Sequence, residues 1–157
     1  MSMISEGIAG WWDQEHATTA RVIAAMPEGQ ENFHPHERSM GASELAWHIA
    51  TTEAMVVQFM MTGSMDPSAQ PPPAPDTFQG ITDWKNKVHK QSVEQFRTLS
   101  DNQLMEFVDF FGHVMPRMGL VNFLLGHEIH HRGQLSVYIR LSGGKVPSIY
   151  GNSADTK

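Results

Sequence analysis

The sequence predicts an all-α fold, a four-helix bundle with a long connection after its second helix. Four long segments carry apolar residues at three- and four-residue spacing, the pattern of amphipathic helices. No segment shows convincingly the two-residue alternation of a half-buried strand. Residues 64–76 contain five prolines in thirteen positions and separate the second segment from the third. We interpret this stretch as a surface connection within a single domain over residues 1–157, because neither side alone has enough helices to make a core.

The first two helices are predicted over residues 2–26 and about 43–62. Pro27 ends the first helix, Ser43 can cap the second, and Gly63 ends the second. The periodic positions of the first helix are Ile4, Ile8, Trp11, Trp12, Thr19, Val22, Ile23 and Met26. Those of the second helix are Leu45, Ile49, Met55, Val56, Phe59 and Met60.

The third and fourth helices are predicted over about 80–98 and from Pro116 to about residue 142. Proline suits the first turn of a helix, which is why Pro116 is placed there. Residues 103–115 are either a short turn of helix or an extended connection with a tight turn at Gly112. The tail beyond the fourth helix is predicted to be irregular. The face of the third helix predicted to be buried contains Ile81, Trp84, Val88, Val93, Phe96 and Leu99.

Histidine is abundant in this 157-residue chain and cysteine is absent. The chain has 9 His and no Cys, against 11 Lys and Arg together. The absence of Cys excludes a catalytic thiol, a redox pair and Cys-ligated zinc. The formal net charge is −6 and no two basic residues stand together, so we expect no nucleic-acid partner.

The sequence lacks the features of a membrane or exported protein. No apolar stretch approaches the roughly 20 residues that a membrane-spanning helix needs. The N-terminal residues carry acids early and lack a basic region followed by an apolar one, so no signal peptide is predicted. We therefore expect a cytoplasmic protein without a membrane partner.

Two histidines on the fourth helix and one on the second predict a metal site. His127 and His131 are four residues apart, which places them within about 40° of each other on one face. A third ligand must come from another helix, and His48 is the natural candidate because it lies on the inward face of the second. Neutral imidazoles suit Zn, Ni, Cu, Fe or Co rather than Mg or Ca. The alternatives are a surface pair of histidines and a core His48 without metal.

The same segment matches the H-E-x-x-H pattern of zinc proteases, with Glu128 in the place of the general base. That function is disfavoured, because Val137 stands where one protease class has its third His and no downstream Glu-bearing helix follows. Glu128 lies about 80° away from the ligand direction and is predicted to be a surface acid.

Residues near the ligands on the same two helices are candidates for supporting them or lining a pocket. They are Gln134 and Tyr138 on the fourth helix, Glu44 and Thr52 on the second, and Trp47 beside His48. Tyr138 is alternatively a core residue and Glu44 a solvated one. His16 on the first helix either faces the cavity or is a hydrogen-bonded core residue. No role is assigned to the remaining histidines, which are predicted in loops or on exposed faces: His34, His36, His89, His113 and His130.

Two runs carry a resemblance to a known family. HHRGQLSVYIRLSGGKVPSIYG, residues 130–151, and HPHERSMGASELAWHIATTE, residues 34–53, resemble the DinB/YfiT-like superfamily of proposed metalloenzymes. The resemblance implies a DinB-like four-helix bundle that holds one divalent metal, Zn or Ni, on His48, His127 and His131. It also implies a homodimer and no common DNA-binding mechanism.

The characterised relatives in that superfamily include thiol-dependent enzymes, such as mycothiol-dependent maleylpyruvate isomerase and bacillithiol transferases. The resemblance therefore implies an enzyme acting on a small-molecule substrate, a metal-activated thiol S-transferase. Because the chain has no Cys, the thiol must be a low-molecular-weight cosubstrate. The alternatives are a metal-hydroxide hydrolase, a non-catalytic metal- or ligand-binding bundle acting in stress response, and a purely structural dimeric bundle.

Overall fold

The computed structural model describes residues 3–66, 68 and 70–156 of the chain. Ser2, where the first helix is predicted to begin, and Pro67 of the proline-rich connection lie outside the described residues. The architecture is a helical bundle with one small hairpin, which confirms the predicted all-α class. In chain order the elements are α1 (Met3–Ala24), α2 (Ala42–Thr62), α3 (Phe78–Phe96), α4 (Asp101–Met105), β1 (Phe107–Phe110), β2 (His113–Pro116) and α5 (Gly119–Leu141).

The long helices form a ring in which α1 and α2 lie diagonally opposite, as do α3 and α5. α3 packs against both α1 and α2, and α5 also packs against both of them. The long connection after α2 carries the chain from that helix to α3. Among the described residues, no helix has both the length and the apolar character needed to cross a lipid bilayer.

The ends of α2 differ in part from the prediction. The N-cap is Gly41 and not Ser43; the Glu44 carboxylate accepts a hydrogen bond from the Gly41 N–H at 3.2 Å. Ser43 is already inside the first turn, two residues beyond the N-cap position. Gly63 ends the helix as predicted, with a φ of 73° that L-residues with a side chain adopt poorly.

The buried face of α3 is rotated relative to the predicted one. Trp84 and Val88 are only half-buried. The helix begins at Phe78, with the Thr77 hydroxyl accepting a hydrogen bond from the backbone of its first turn. The buried residues of α3 are Phe78, Ile81, Thr82, Lys85, His89, Ser92, Val93 and Phe96. The spacing of apolar residues does not predict this face, because Lys85 and His89 are part of it.

The segment before α5 contains both alternatives left open by the sequence, a short helix and then an extended hairpin. α4 precedes two antiparallel strands paired from Phe107 with Pro116 to Phe110 with His113. Phe111 and Gly112 turn the chain with φ values of 54° and 83°, as two-residue hairpin loops require. The predicted position of Pro116 was wrong: it ends β2, where a missing N–H is tolerated at the edge of a two-stranded sheet.

The bundle core has two apolar clusters with a layer of buried polar side chains between them. One cluster is built around Trp12, Phe96 and Leu124, and the other around Ile49 and Ile139. We call the layer between them the polar belt. Its members are Glu15, His16 and Thr19 of α1, Thr52 and Glu53 of α2, Lys85 and His89 of α3, and Glu128 and Arg132 of α5.

Candidate metal centre

Three imidazoles from two neighbouring helices meet on the seam between α2 and α5. His48 comes from α2, and His127 and His131 come from successive turns of α5. Their ring centroids form a triangle with sides of 4.7, 4.8 and 4.3 Å. One nitrogen of each ring lies within 4.8 Å of a nitrogen of the other two. All three residues are partly exposed to solvent.

Helix geometry and helix packing together produce this triangle. A four-residue step on α5 advances the backbone about 6 Å along the helix axis and leaves His127 and His131 on one face. α2 packs beside α5 and brings His48 to that face. The Nε2 atoms of His48 and His127 are 2.8 Å apart. Two neutral rings this close share one proton, with one ring donating and the other accepting.

Burial and mutual repulsion favour the neutral form of two of these rings. The pKa of His127 is lowered to about 4, by burial first and then by the neighbouring rings of His131, His48 and His130. The pKa of His48 is lowered by burial and then by His131, with Glu44 opposing the change. Neutral imidazoles present the lone pairs that a metal ion binds, so little proton removal is needed near neutral pH.

The donor set fits a divalent transition metal. Two nitrogens bound to one tetrahedral zinc ion lie about 3.3 Å apart, so the 2.8 Å separation of His48 and His127 needs only a small opening. His131 Nδ1 donates to the Gln134 side-chain oxygen at 2.7 Å, which leaves its Nε2 free to coordinate. His127 Nδ1 is buried without a hydrogen-bond partner among the described residues. The structure thus contains a histidine cluster compatible with a divalent metal.

The predicted neighbours on α2 and α5 differ in what they touch. Gln134 holds the His131 ring, as just described. The Thr52 hydroxyl donates at 2.8 Å to the backbone oxygen of His48 and not to its ring. The Glu44 carboxylate is engaged in capping α2, and it acts on His48 only through its charge.

The other three predicted neighbours have other partners in the structure. Tyr138 is buried in the apolar core, and its hydroxyl donates to the backbone oxygen of Met40 at 3.2 Å. Trp47 is half-buried, and its ring centroid lies 4.6 Å from that of Trp84. His16 is a hydrogen-bonded core residue of the polar belt, which was one of its two predicted positions.

Two predictions of exposure were wrong, those for Glu128 and His89. Glu128 is 1% exposed, and its carboxylate lies 3.0 Å from the ammonium of Lys85. His89 is buried, with Nδ1 2.9 Å from Glu53 and Nε2 2.9 Å from Asp13. Each of these two side chains is held inside by polar partners on other helices, and a single helix does not reveal those partners.

A second group of metal-ligating side chains lies inside the polar belt. His16, Glu53 and His89 are all buried, and one ligand atom of each lies within 4.8 Å of the others. The two rings, however, are stacked 3.7 Å apart at 4°, so their in-plane lone pairs run side by side and do not converge on one point. Lys85 already supplies a positive charge to Glu53 at 3.0 Å. The three-histidine cluster is therefore the better metal site.

Arg132 is a buried charged residue that the sequence analysis missed. Its guanidinium pairs with the Glu15 carboxylate at 2.8 Å and donates to the Thr19 hydroxyl at 3.2 Å. The Tyr150 hydroxyl of the C-terminal tail contacts Arg132 and donates to Glu15 at 2.8 Å. A signal was present: Arg132 lies at helical spacing between Glu128 and Leu135 on the buried face of α5.

Comparison with known proteins gives curated relatives of similar length. The protein YrdA of Bacillus subtilis (strain 168), described as uncharacterized, is 28% identical over 145 residues, covering 89% of this chain and 84% of YrdA. YjoA of the same organism, also described as uncharacterized, is 28% identical over 128 residues, covering 80% of this chain and 82% of YjoA.

Solved structures and a family model agree with the fold. The crystal structure of a DinB-like protein from Bacillus cereus ATCC 10987 matches with a TM-score of 0.78 at 28% identity, covering 92% of this chain and 97% of that one. The crystal structure of the DinB-like protein YjoA from Bacillus subtilis has a TM-score of 0.76 at 23% identity, covering 94% and 99%, which supports the fold alone. The model of the DinB family matches residues 1–156. The chain therefore belongs to the DinB family.

Proposed function

We propose that this protein binds one divalent transition metal, Zn or Ni, on His48, His127 and His131, and that it is a thiol S-transferase acting on a small molecule. The observation that carries the proposal is the triangle of three imidazoles, partly exposed on the seam between α2 and α5. Three protein ligands leave room for a further ligand in catalytic metal sites, whereas structural sites are closed.

The chemistry of the donors decides which kind of ion is expected. Neutral nitrogen ligands suit transition metals, and the hard ions Mg²⁺ and Ca²⁺ prefer oxygen. A divalent ion on three neutral ligands keeps its full charge and would make a bound thiol or water acidic near neutral pH. The chain contains no Cys, so the sulfur of a thiol reaction must come from a cosubstrate.

The residues around the cluster orient the ligands and shape the approach to them. Gln134 fixes the His131 ring through its Nδ1. Phe123, one turn before His127, stacks against that ring with centroids 6.2 Å apart and is 41% exposed. An aromatic surface beside the open cluster offers an apolar contact to the electrophilic substrate. In a substitution at carbon, the thiol would lose its proton to solvent and its sulfur would form the new carbon–sulfur bond. The bond from that carbon to the leaving group would break at the same time, and the leaving group would depart with the electron pair.

Metal content and affinity test the first half of the proposal. Protein purified without a His tag should carry stoichiometric metal or bind Zn²⁺, Ni²⁺ or Co²⁺ tightly in a chelator-competition titration. His127→Ala removes a ligand and should abolish tight binding. His113→Ala is the matched control, because His113 is exposed on the hairpin. Weak binding by the unmodified protein, or equal affinity in the His127→Ala variant, would overturn the ligand assignment.

A thiol panel tests the second half. Bacillithiol, mycothiol and glutathione are each incubated with electrophilic acceptors, and products are identified by mass spectrometry. We expect conjugates with at least one thiol, and none with the His127→Ala variant. Hydrolysed acceptors without a sulfur adduct would favour a hydrolase. Tight metal binding without any product would favour a non-catalytic metal-binding protein.

A further inference from the structure

Lys85 reaches across the bundle from α3 and contacts carboxylates of both helices that carry the three histidines. Its side chain is fully buried. The ammonium lies 3.0 Å from Glu53 of α2 and 3.0 Å from Glu128 of α5. α3 and α5 are diagonal partners in the ring of helices, so the second contact spans the core.

The two carboxylates are close along the chain to the predicted metal ligands. Glu128 directly follows His127 on α5, and Glu53 comes five residues after His48 on α2. A shift of either helix that changes the distance from His48 to His127 must therefore also move a carboxylate relative to Lys85. The three histidines come from only two helices, so the relative position of α2 and α5 is the main variable that sets the shape of the cluster.

Two members of this network, Lys85 and Glu53, have pKa values shifted in favour of their charged forms. Burial alone would lower the pKa of Lys85, but Glu128 and Glu53 outweigh it and raise the pKa. Burial alone would raise the pKa of Glu53, but Lys85 and His89 lower it to about 2. His89 also holds the second oxygen of Glu53 at 2.9 Å. An ammonium between two fully buried carboxylates has few alternative arrangements, because any displacement leaves a charge unpaired.

We propose that Lys85 is a positioning residue for the candidate metal site: its ion pairs with Glu53 and Glu128 hold α2 and α5 at the separation that lets the three imidazoles bind one ion. This inference rests on the proposed metal site and deepens it. Metal ligands must be held to within about 0.5 Å, and a buried ion pair adds little net stability but is costly to break once its partners are in place.

A purely electrostatic role and a positioning role of Lys85 predict opposite effects of Lys85→Met on metal affinity. Removing a positive charge near the site strengthens binding of a cation if only long-range electrostatics matter. Loss of the ion pairs weakens it if Lys85 sets the geometry. We expect about tenfold weaker Co²⁺ or Zn²⁺ binding, the size typical of lost outer-shell support, together with a changed visible absorption spectrum of bound Co²⁺.

A double variant keeps the test decisive if Lys85→Met folds poorly. Lys85→Met combined with Glu128→Met leaves the net charge unchanged and replaces the cross-core pair by side chains of similar volume, while Glu53 keeps its bond to His89. Such apolar replacements are often well tolerated by the fold. The double variant should fold cooperatively and still bind Co²⁺ about tenfold more weakly than the unmodified protein.

Glu15→Gln is the matched control, because it weakens a buried ion pair of α5 with α1 and leaves α2 untouched. Its Co²⁺ affinity should stay within about twofold of the unmodified protein. Unchanged or tighter affinity in both Lys85 variants, with unchanged Co²⁺ spectra, would overturn the positioning role and leave the metal site standing. Failure of the unmodified protein to bind any of the metals would overturn both.

Discussion

Acidification from about pH 7 to about pH 5 should lower the free energy of unfolding of the metal-free protein by about 2 kcal/mol through His16 alone. Burial first, and then the positive charges of Lys85 and His89, lower the pKa of His16 from 6.5 to about 3. Its Nε2 bonds the side-chain oxygen of Asn86 at 2.9 Å, and its Nδ1 is buried without a hydrogen-bond partner among the described residues. Protonation of Nδ1 would add a positive charge that Lys85 and His89 oppose, and the Glu53 carboxylate 4.0 Å from Nδ1 offsets this only in part.

The sign and size follow from proton linkage. The pKa of His16 is lower in the folded state than in the unfolded state. Between these two values the unfolded chain binds more protons, so the folded state becomes less stable as the pH is lowered. Each pH unit in that window changes the free energy by about 1.4 kcal/mol per proton. The loss begins near pH 6.5, the unfolded-state pKa, so acidification to about pH 5 covers about one and a half pH units and costs about 2 kcal/mol.

Urea denaturation in the presence of a chelator, followed by circular dichroism at each pH, measures this loss. His16→Gln keeps a donor for Asn86 but cannot titrate, so it should lose about 2 kcal/mol less than the unmodified protein over the same range. The difference between the two proteins removes the contributions of other histidines. Parallel losses in both proteins would refute the argument that His16 is held neutral by its surroundings.

Three further predictions concern the buried residues Glu53 and Arg132 and a glycine after α5, Gly144. Although burial alone would raise the pKa of Glu53, Lys85 and His89 lower it from 4.5 to about 2. The ionised Glu53 therefore stabilises the fold above about pH 4.5, and up to about 3 kcal/mol of this stability is lost as the pH falls toward 2. Acid unfolding of the Glu53→Gln variant should lack this loss. Arg132→Met leaves the buried Glu15 without its cationic partner and should cost about 3 kcal/mol or more of stability. Tyr150→Phe removes only a hydroxyl and should cost about 1 kcal/mol. Equal costs in urea denaturation would contradict the ion pair. Gly144→Ala would bring a Cβ within 2.8 Å of the Ile139 side chain and 2.9 Å of Pro27, and should lower the melting temperature at a cost of about 1–3 kcal/mol. In the control Gly133→Ala, the added Cβ meets open space in α5. This variant should have a higher melting temperature, with a gain of about 0.5–1 kcal/mol in stability.

The four long helices were predictable because apolar spacing and glycine or proline stops are local signals. Gly63 ends α2 as its type suggests. The errors at Ser43 and Pro116 have a common cause, since each residue type is favoured at several positions around a helix end and only the tertiary path selects one. The hairpin after α4 was left open because its strands have four residues each, too few for a clear alternation.

In the candidate site too, local features could be predicted from the sequence and contacts between distant segments could not. The spacing of His127 and His131 suggested a shared face, and the structure brings His48 to it. The roles of Glu128 and His89 could not be found from one segment, because their partners lie 43 and 36 positions away in the chain, at Lys85 and Glu53. Hydrophobic periodicity assigns charged side chains to the surface by default, and a polar belt reverses that rule.

The polar belt also has a consequence for the alignment of the helices along the bundle axis. Apolar side chains are interchangeable, so two uniformly apolar helices can slide past each other by one turn, about 5.4 Å, and still pack. Here such a slip would move Lys85 or Arg132 into an apolar cluster and separate it from its carboxylate, at a cost of several kcal/mol. The polar belt thus selects one axial alignment of the helices among several that would satisfy the apolar contacts alone.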